Sequence, residues 1–171
     1  NAFPWTVRHT VTDPAELPDA GRFQREIREA VKILDCTGPE VNTADFAYVP
    51  ETVYPNLNKL TDTDYSHHYY VDGAPTVVDA FWSSAWHTTL VGTLRGGGKG
   101  VFALDVTDPS QFDESNADDI VLWEIDNTDT DFTDLGYTFS QPAVVKAKGY
   151  DTWVAVFGNG YDSASGKAVL Y

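Results

Sequence analysis

The chain has 171 residues, of which 42% are hydrophobic and 13% aromatic, and this composition excludes a disordered chain and fits one folded domain. Acidic residues outnumber basic ones by 26 to 11, giving a net charge of −15, which argues against nucleic acid or an anionic membrane as partner because both need a positive face. The single cysteine, Cys36, excludes an internal disulfide, and the chain lacks the run of about 18 apolar residues that a membrane span requires.

Residues 1–43 are predicted to form an N-terminal segment with one strand and one amphipathic helix. An alternating run at residues 5–11 favours the strand. Asp19 can cap the helix, and Gly38 followed by Pro39 ends it. The apolar positions of the helix lie on one face, at Phe23, Ile27, Ala30, Val31 and Leu34. We interpret this segment as a lid or linker packed on a larger body, and we assign it no function.

From residue 44 onward, short β-rich runs are bounded by Gly, Asp, Asn and Pro, which predicts strands. Part of the pattern occurs twice, because the run that begins at Pro75 returns at Pro142 and Trp86 returns as Trp153, each 67 residues later. The first unit is predicted to have four strands, at residues 75–81, 86–94, 100–106 and 120–125. The second unit is predicted to repeat three of them, at residues 141–147, 152–158 and 167–171. Its fourth strand is expected to lie beyond the end of the chain.

Several of these runs, such as residues 101–104 and 153–157, are apolar at consecutive positions, whereas a sheet with one exposed face would alternate. Four antiparallel strands per unit, buried faces and a period above about 40 residues favour a β-propeller. The predicted fold class is therefore all-β, a propeller fragment of about two four-stranded antiparallel blades with the second incomplete. A stacked β-sandwich is the alternative, but it would not explain the repeat.

The predicted partial propeller occupies residues 44–171, with blade one at about 75–125 and a truncated blade two at 141–171. A blade buries its faces only against neighbouring blades, and propellers close with about four to eight of them. The remaining blades are therefore expected in the natural protein, as the first partners of this chain.

The densest acidic stretch, at residues 126–134, is the candidate metal site, because alternating oxygen-bearing side chains are what a calcium loop uses. Calcium is accordingly the one possible cofactor. The match to a helix–loop–helix calcium loop is poor, since Phe132 stands where such a loop needs Gly and Thr138 where it needs Glu. The alternative is a solvated loop between blades. The candidate ligands are Asn127, Asp129, Asp131 and Asp134.

Other motifs favour structural roles over chemistry. The glycine-rich run at residues 95–100 resembles a phosphate loop, but Lys99 is followed by Gly100 and a strand, so a connecting loop is predicted. His67 and His68 are adjacent, and on an extended chain they would point to opposite sides rather than share a metal. No serine stands in a nucleophile elbow and no carboxylate pair has a spacing that argues for acid–base work, so no catalytic or cofactor-binding residue is assigned.

Five segments share their residues, in order, with one known family. The first are FAYVP at 46–50 with VYPNL at 53–57, and HYYVDGAPT at 68–76. They are followed by GKGVFALDVTDP at 98–109, DLGYTFSQP at 134–142 and VFGNGY at 156–161. Together these segments resemble the β-propeller of the PilC/PilY family of type IV pilus proteins, most strongly at residues 98–109. The resemblance covers about three quarters of the chain and no part of residues 1–43.

This resemblance implies a non-enzymatic bacterial protein that is extracellular or associated with the outer membrane of Gram-negative cells. It implies roles in pilus assembly, adhesion and twitching motility at the pilus tip, with minor pilin subunits or a host or surface receptor as partners. It also implies calcium dependence of the whole protein. Two alternatives stay open, a quinoprotein dehydrogenase propeller that uses pyrroloquinoline quinone and a secreted structural propeller that binds another protein.

Overall fold

The structure, a computed structural model, describes residues 47–149 and 152–171. Residues Tyr48–Tyr171 form one compact unit. The strand and helix predicted within residues 1–43 lie outside the described residues and stay predictions.

Four antiparallel strands form the first sheet, in the order β1–β2–β3–β4. They are β1 (Thr76–Trp82), β2 (Ala85–Thr93), β3 (Gly100–Asp105) and β4 (Val121–Asp126). Each predicted strand of the first unit is confirmed, with ends that differ by one residue at most. Ser83 and Ser84 both have positive φ, at 48° and 67°, which is the conformation of a two-residue hairpin turn and joins β1 tightly to β2.

The second sheet has two antiparallel strands, β5 (Ala143–Lys146) and β6 (Trp153–Val156). The third strand predicted for this unit, at residues 167–171, is present only as a bridge between Gly158 and Leu170. Phe157 and Tyr171 exchange both backbone hydrogen bonds, at 3.1 and 2.9 Å, so this segment runs antiparallel beside the chain that leaves β6. The segment pairs with the chain beyond the end of the β5–β6 ladder. The predicted antiparallel direction is therefore confirmed, but the predicted length of the strand is wrong.

The core lies between the two sheets. Its buried members are Val91, Val101, Ala103, Leu135 and Phe157. The other face of β3 is also covered, because the ring of Tyr48 packs against Phe102 with the ring centroids 5.0 Å apart. Burial of β3 on both faces, as predicted, agrees with a strand inside a propeller blade.

The hairpin of β1 and β2 is less covered than β3. The exposed fractions of Val77, Phe81 and Trp86 are 55%, 44% and 62%. Val77 pairs with Leu90 and Phe81 with Trp86, so these side chains share one face of the sheet, where the ring of Trp86 contacts that of Trp153 on β6 with the ring centroids 6.2 Å apart. This part of the first sheet thus has an uncovered apolar face among the described residues.

Short helical segments, which the sequence pattern did not predict, lead into and interrupt the first sheet. The leading segment comprises 3₁₀ turns Glu51–Val53 and Asn58–Thr61 on either side of α1 (Tyr54–Leu57). Between β3 and β4, two further 3₁₀ turns precede α2 (Ala117–Ile120). A four-residue helix completes little more than one turn and so shows no apolar period in the sequence. Among the described residues, no helix has the length and apolar character to cross a membrane.

Candidate functional site

The connections between strands fall into two groups at opposite ends of the sheets, because each antiparallel strand reverses direction. One end gathers residues 94–99, residues 127–142 and the chain after β6, and we call it the loop face. Contacts between these loops confirm the grouping: the backbone N–H of Leu94 donates to Thr138 Oγ1 at 3.1 Å, and Lys99 Nζ donates to Asp162 Oδ2 at 2.9 Å. Loops positioned by a rigid scaffold of strands commonly carry binding residues, so the loop face is one candidate surface.

The predicted metal ligands lie on the loop face but are not gathered around one point. Asp129 closes its own turn, since its Oδ2 accepts from the backbone N–H of Asp126 at 2.8 Å. Asn127 and Asp131 are exposed. No three histidine, cysteine or acidic side chains in the described part of the chain are arranged to hold a metal ion. Calcium binding by this run therefore stays a prediction.

Asp134, the fourth candidate, joins two loops. Its carboxylate accepts from the backbone N–H of Ser165 at 2.6 Å and from the Ser165 hydroxyl at 2.7 Å. The same two donors, the backbone N–H first, hold the pKa of the Asp134 carboxyl below its usual value. Beside it, Asn159 is almost fully buried and uses its amide to donate to the Lys167 carbonyl and to accept from the Val169 N–H. These contacts fix the loop between β6 and the final segment.

An exposed aromatic cluster, which the sequence did not reveal, lies next to this loop. It consists of Tyr137, Phe139 and Tyr161, and the rings of Phe139 and Tyr161 meet edge to face at 5.2 Å. Two cations from the β2–β3 loop cover it, with Arg95 over Phe139 at 5.1 Å and Lys99 over Tyr137 at 5.5 Å. The signal in the sequence would have been the aromatic residue at every second position of 137–139.

The glycine-rich run that the sequence assigned to a connecting loop forms a 3₁₀ turn, Arg95–Gly97. A Cβ atom at Gly97 would lie 1.7 Å from the carbonyl oxygen of Tyr70, so this position has to be glycine. Of the two adjacent histidines, His67 packs its ring against Tyr69 at 4.9 Å, and the backbone N–H of His68 donates to the Tyr65 hydroxyl. This stretch therefore packs among tyrosines.

The opposite end of the sheet carries a histidine–aspartate pair that the sequence did not single out. His87 Nδ1 lies 2.7 Å from Asp105 Oδ2, and the ring of Trp82 stacks on His87 at 3.6 Å. Partial burial acts to raise the pKa of the Asp105 carboxyl, but hydrogen bonds from Thr107 and His87 outweigh it and leave the pKa lowered. The pair is covered by an indole, and this geometry fits a structural tie between β2 and β3 better than proton transfer.

A cleft of about 340 Å³ opens between the two sheets, near the β1–β2 turn. Its walls come from β1, β2 and β4 on one side and from β5 and β6 on the other, which makes it a feature of the contact between blades. Three of its lining residues are tryptophans, Trp82, Trp123 and Trp153.

The profile of the family described as the PilY1 beta-propeller domain matches residues 35–171. A type IV pilus biogenesis factor PilY1 homolog of Xylella fastidiosa is 47% identical over 129 residues, which is 75% of this chain and 8% of that protein. The type IV pilus biogenesis factor PilY1 of Pseudomonas aeruginosa strain UCBPP-PA14 is 49% identical over 130 residues, 74% of this chain and 10% of that protein.

A solved structure of a PilY1 domain is also similar to this chain. The crystal structure of the Pseudomonas aeruginosa PilY1 C-terminal domain aligns with a TM-score of 0.57 and 42% identity, and the alignment covers 80% of this chain and 24% of that one. The chain thus spans about a tenth of the curated relatives and about a quarter of the solved domain. Because the family profile and these identities extend over most of its length, the chain belongs to the PilY1 β-propeller family.

Proposed function

We propose that this chain is part of a type IV pilus biogenesis factor and serves there as a non-enzymatic propeller. The observation that carries the proposal is identity of 47–49% to two proteins named as such factors, over 129 and 130 residues. Those relatives are about ten times longer than the matched region, so the role proposed is that of the whole protein, to which this chain contributes a scaffold and one loop face.

The proposed location is outside the cell, at the pilus tip or the outer membrane, with adhesion as the finer function. The loop face supports this, because Tyr161 is 69% exposed and the neighbouring loops contribute acidic side chains. Exposed aromatic rings beside polar loops are a composition found at protein–protein contact surfaces. The proposed partners are the remaining blades, pilus subunits such as minor pilins, and a receptor on a host or other surface.

The non-enzymatic reading rests on how the polar groups of the chain are used. Asp134 accepts from Ser165, and the His87–Asp105 pair is stacked under Trp82, so both hold strands or loops together. An assay of dye-linked alcohol oxidation by the full-length protein, with pyrroloquinoline quinone and calcium added, is expected to show no turnover. Turnover would overturn this part of the proposal and favour a quinoprotein dehydrogenase.

Deletion of the gene tests the pilus role. We expect loss of surface pili and of twitching zones, with both restored by the wild-type gene supplied in trans. Surface pili are measured in sheared fractions, and adhesion is measured separately and normalised to the amount of pili. Normal piliation and twitching in the deletion strain would contradict a role in biogenesis, and normal adhesion per pilus in a strain that keeps pili but lacks this protein would contradict the adhesin role.

A further inference from the structure

The cleft between the two sheets has the composition of a ligand site rather than of a packing defect. Its volume of about 340 Å³ lies within the range of small-molecule pockets, roughly 300–1,000 Å³. Three indole rings line it, from Trp82 on β1, Trp123 on β4 and Trp153 on β6. Aliphatic side chains such as Val91, Leu122 and Val144 complete the apolar surface. Indole faces are well suited to stack on the flat side of a ring.

Two polar groups at the cleft have no partner. Thr89 is 7% exposed and lines the cleft, yet its hydroxyl makes no hydrogen bond in the structure. The indole N–H of Trp153 is buried and lacks an acceptor as well. A buried donor or acceptor left unpaired costs about 1–3 kcal/mol, so a bound group that pairs with both would recover this loss. Thr89 can donate and accept, while Trp153 can only donate.

The lining of the cleft also disfavours a charged ligand. None of the described residues that line it is acidic, basic or histidine. An ionised ligand would therefore lose its hydration without gaining a counter-charge. This is unexpected in a chain with a net charge of −15, and it separates the cleft from the acidic loop face at the other end of the sheets.

We propose that this cleft binds a neutral pyranose sugar. Such a ring offers an apolar face of C–H groups to the indoles, and its hydroxyls can accept from the Trp153 N–H and exchange hydrogen bonds with Thr89. A purely apolar ring would satisfy the walls and leave both polar groups unpaired. The proposal rests on the cleft alone and does not depend on a role in pilus assembly.

Saturation-transfer difference NMR on the full-length protein tests the proposal. The probes are methyl β-D-glucopyranoside, methyl α-D-mannopyranoside and N-acetylglucosamine, with glucuronate as a charged probe and p-cresol as a neutral aromatic one. We expect transfer to the ring protons of at least one neutral sugar at millimolar concentration and none to glucuronate. Transfer to p-cresol alone would overturn the proposal that the ligand is a sugar, and it would favour an aromatic side chain of a partner protein as the ligand.

Two variants connect any signal to the cleft. Thr89→Val keeps the shape of the side chain and removes its hydroxyl, and Trp153→Phe keeps an aromatic wall and removes the N–H. Each is expected to weaken sugar binding about tenfold, the effect of losing one well-formed hydrogen bond. Because the Thr89 hydroxyl has no partner in the structure, Thr89→Val should fold normally even if Trp153→Phe does not.

Matched controls lie outside the cleft. Thr61→Val removes a hydroxyl that donates to the Asn58 carbonyl on the surface, and Tyr161→Phe removes one from the loop face. Both are expected to leave sugar binding unchanged. Absence of transfer to all three neutral sugars, or a signal that Thr89→Val does not weaken, would overturn the proposal.

Discussion

The carboxylate of Asp134 accepts two hydrogen bonds from Ser165, across 31 residues of chain, and so holds together two loops of the loop face. An acidic residue in an acidic run invites assignment as a cation ligand, since oxygen-bearing side chains bind calcium. Here the donors around it are a backbone N–H and a hydroxyl of the same chain. Whether such a carboxylate binds a cation or joins two loops depends on which segment of the chain packs against it. Residue 165 is too distant in sequence from residue 134 for a local sequence pattern to predict this contact.

The lowered pKa of Asp134 gives a prediction about pH. Because the carboxyl has a pKa below its unfolded value of 3.8, its contribution to stability is complete above that pH and is lost as the pH falls through the lower folded pKa. Asp134→Asn should therefore lower the thermal unfolding midpoint at pH 6 and reduce the further loss between pH 6 and pH 3. A scan of the unfolding midpoint of the full-length protein against pH measures both. If the unfolding midpoint falls equally between pH 6 and pH 3 in the variant and in the wild type, the stabilising role assigned to the Asp134 carboxylate is contradicted.

At the scale of elements, Glu124 on β4 anchors the leading segment to blade one. Its carboxylate accepts from the Tyr48 hydroxyl, and from the backbone N–H and the hydroxyl of Thr52 at 3.1 Å each. Burial, followed by the hydrogen bond and the charge of Glu124, raises the pKa of Tyr48 far above its usual value, which keeps the hydroxyl protonated as a donor. The contact holds Thr52, in the first helical turn, against a strand 72 residues later in the chain.

Removal of this anchor should loosen β4. We expect Glu124→Ala to reduce the free energy of opening of β4 by about 2 kcal/mol, because partly buried donors of Tyr48 and Thr52 lose their acceptor. Hydrogen exchange of the β4 amides in the full-length protein measures this quantity. Glu114→Ala, at an exposed site between β3 and β4, is the matched control and should change it by less than about 0.5 kcal/mol. Equal protection in both variants would show that the anchor contributes nothing.

The strands of the first sheet could be predicted from sequence because their apolar runs are long and end at glycine, serine or aspartate. The repeat also placed β5 and β6 correctly, since Trp153 opens β6 as Trp86 stands near the start of β2. The length of the strand predicted at residues 167–171 was overestimated. Its apolar pattern does not show how many residues of a neighbouring strand are available to pair with it. The aromatic cluster of the loop face was missed because its rings come from distant segments of the chain. The helical turns were missed because such short helices show no apolar period.

At the scale of the whole molecule, the two sheets have the arrangement of adjacent blades with one uncovered side. The strands β1 and β5 contact each other, and the Thr76 hydroxyl donates to the Pro142 carbonyl at 2.8 Å, so the first strands of both units meet. The cleft lies between these sheets, near the β1–β2 turn. It could not be predicted from either unit alone, because its walls belong to both and the spacing between blades sets its volume.

The uncovered face of the β1–β2 hairpin is the basis of the central claim, that these sheets are blades completed by further blades of one propeller. Val77, Phe81 and Trp86 together present an apolar surface that a folded monomer would be expected to bury. Covering it requires a neighbour of similar shape, and a further blade is the neighbour that the propeller architecture supplies.

The most direct measurement is expression of residues 48–171 alone, studied by size-exclusion chromatography with light scattering and by thermal unfolding. The account predicts self-association, binding of a hydrophobic dye and no single cooperative transition, while the full-length protein is well behaved under the same conditions. A monodisperse monomer of residues 48–171 that unfolds in one cooperative step would contradict it, because such a unit would need no further blades.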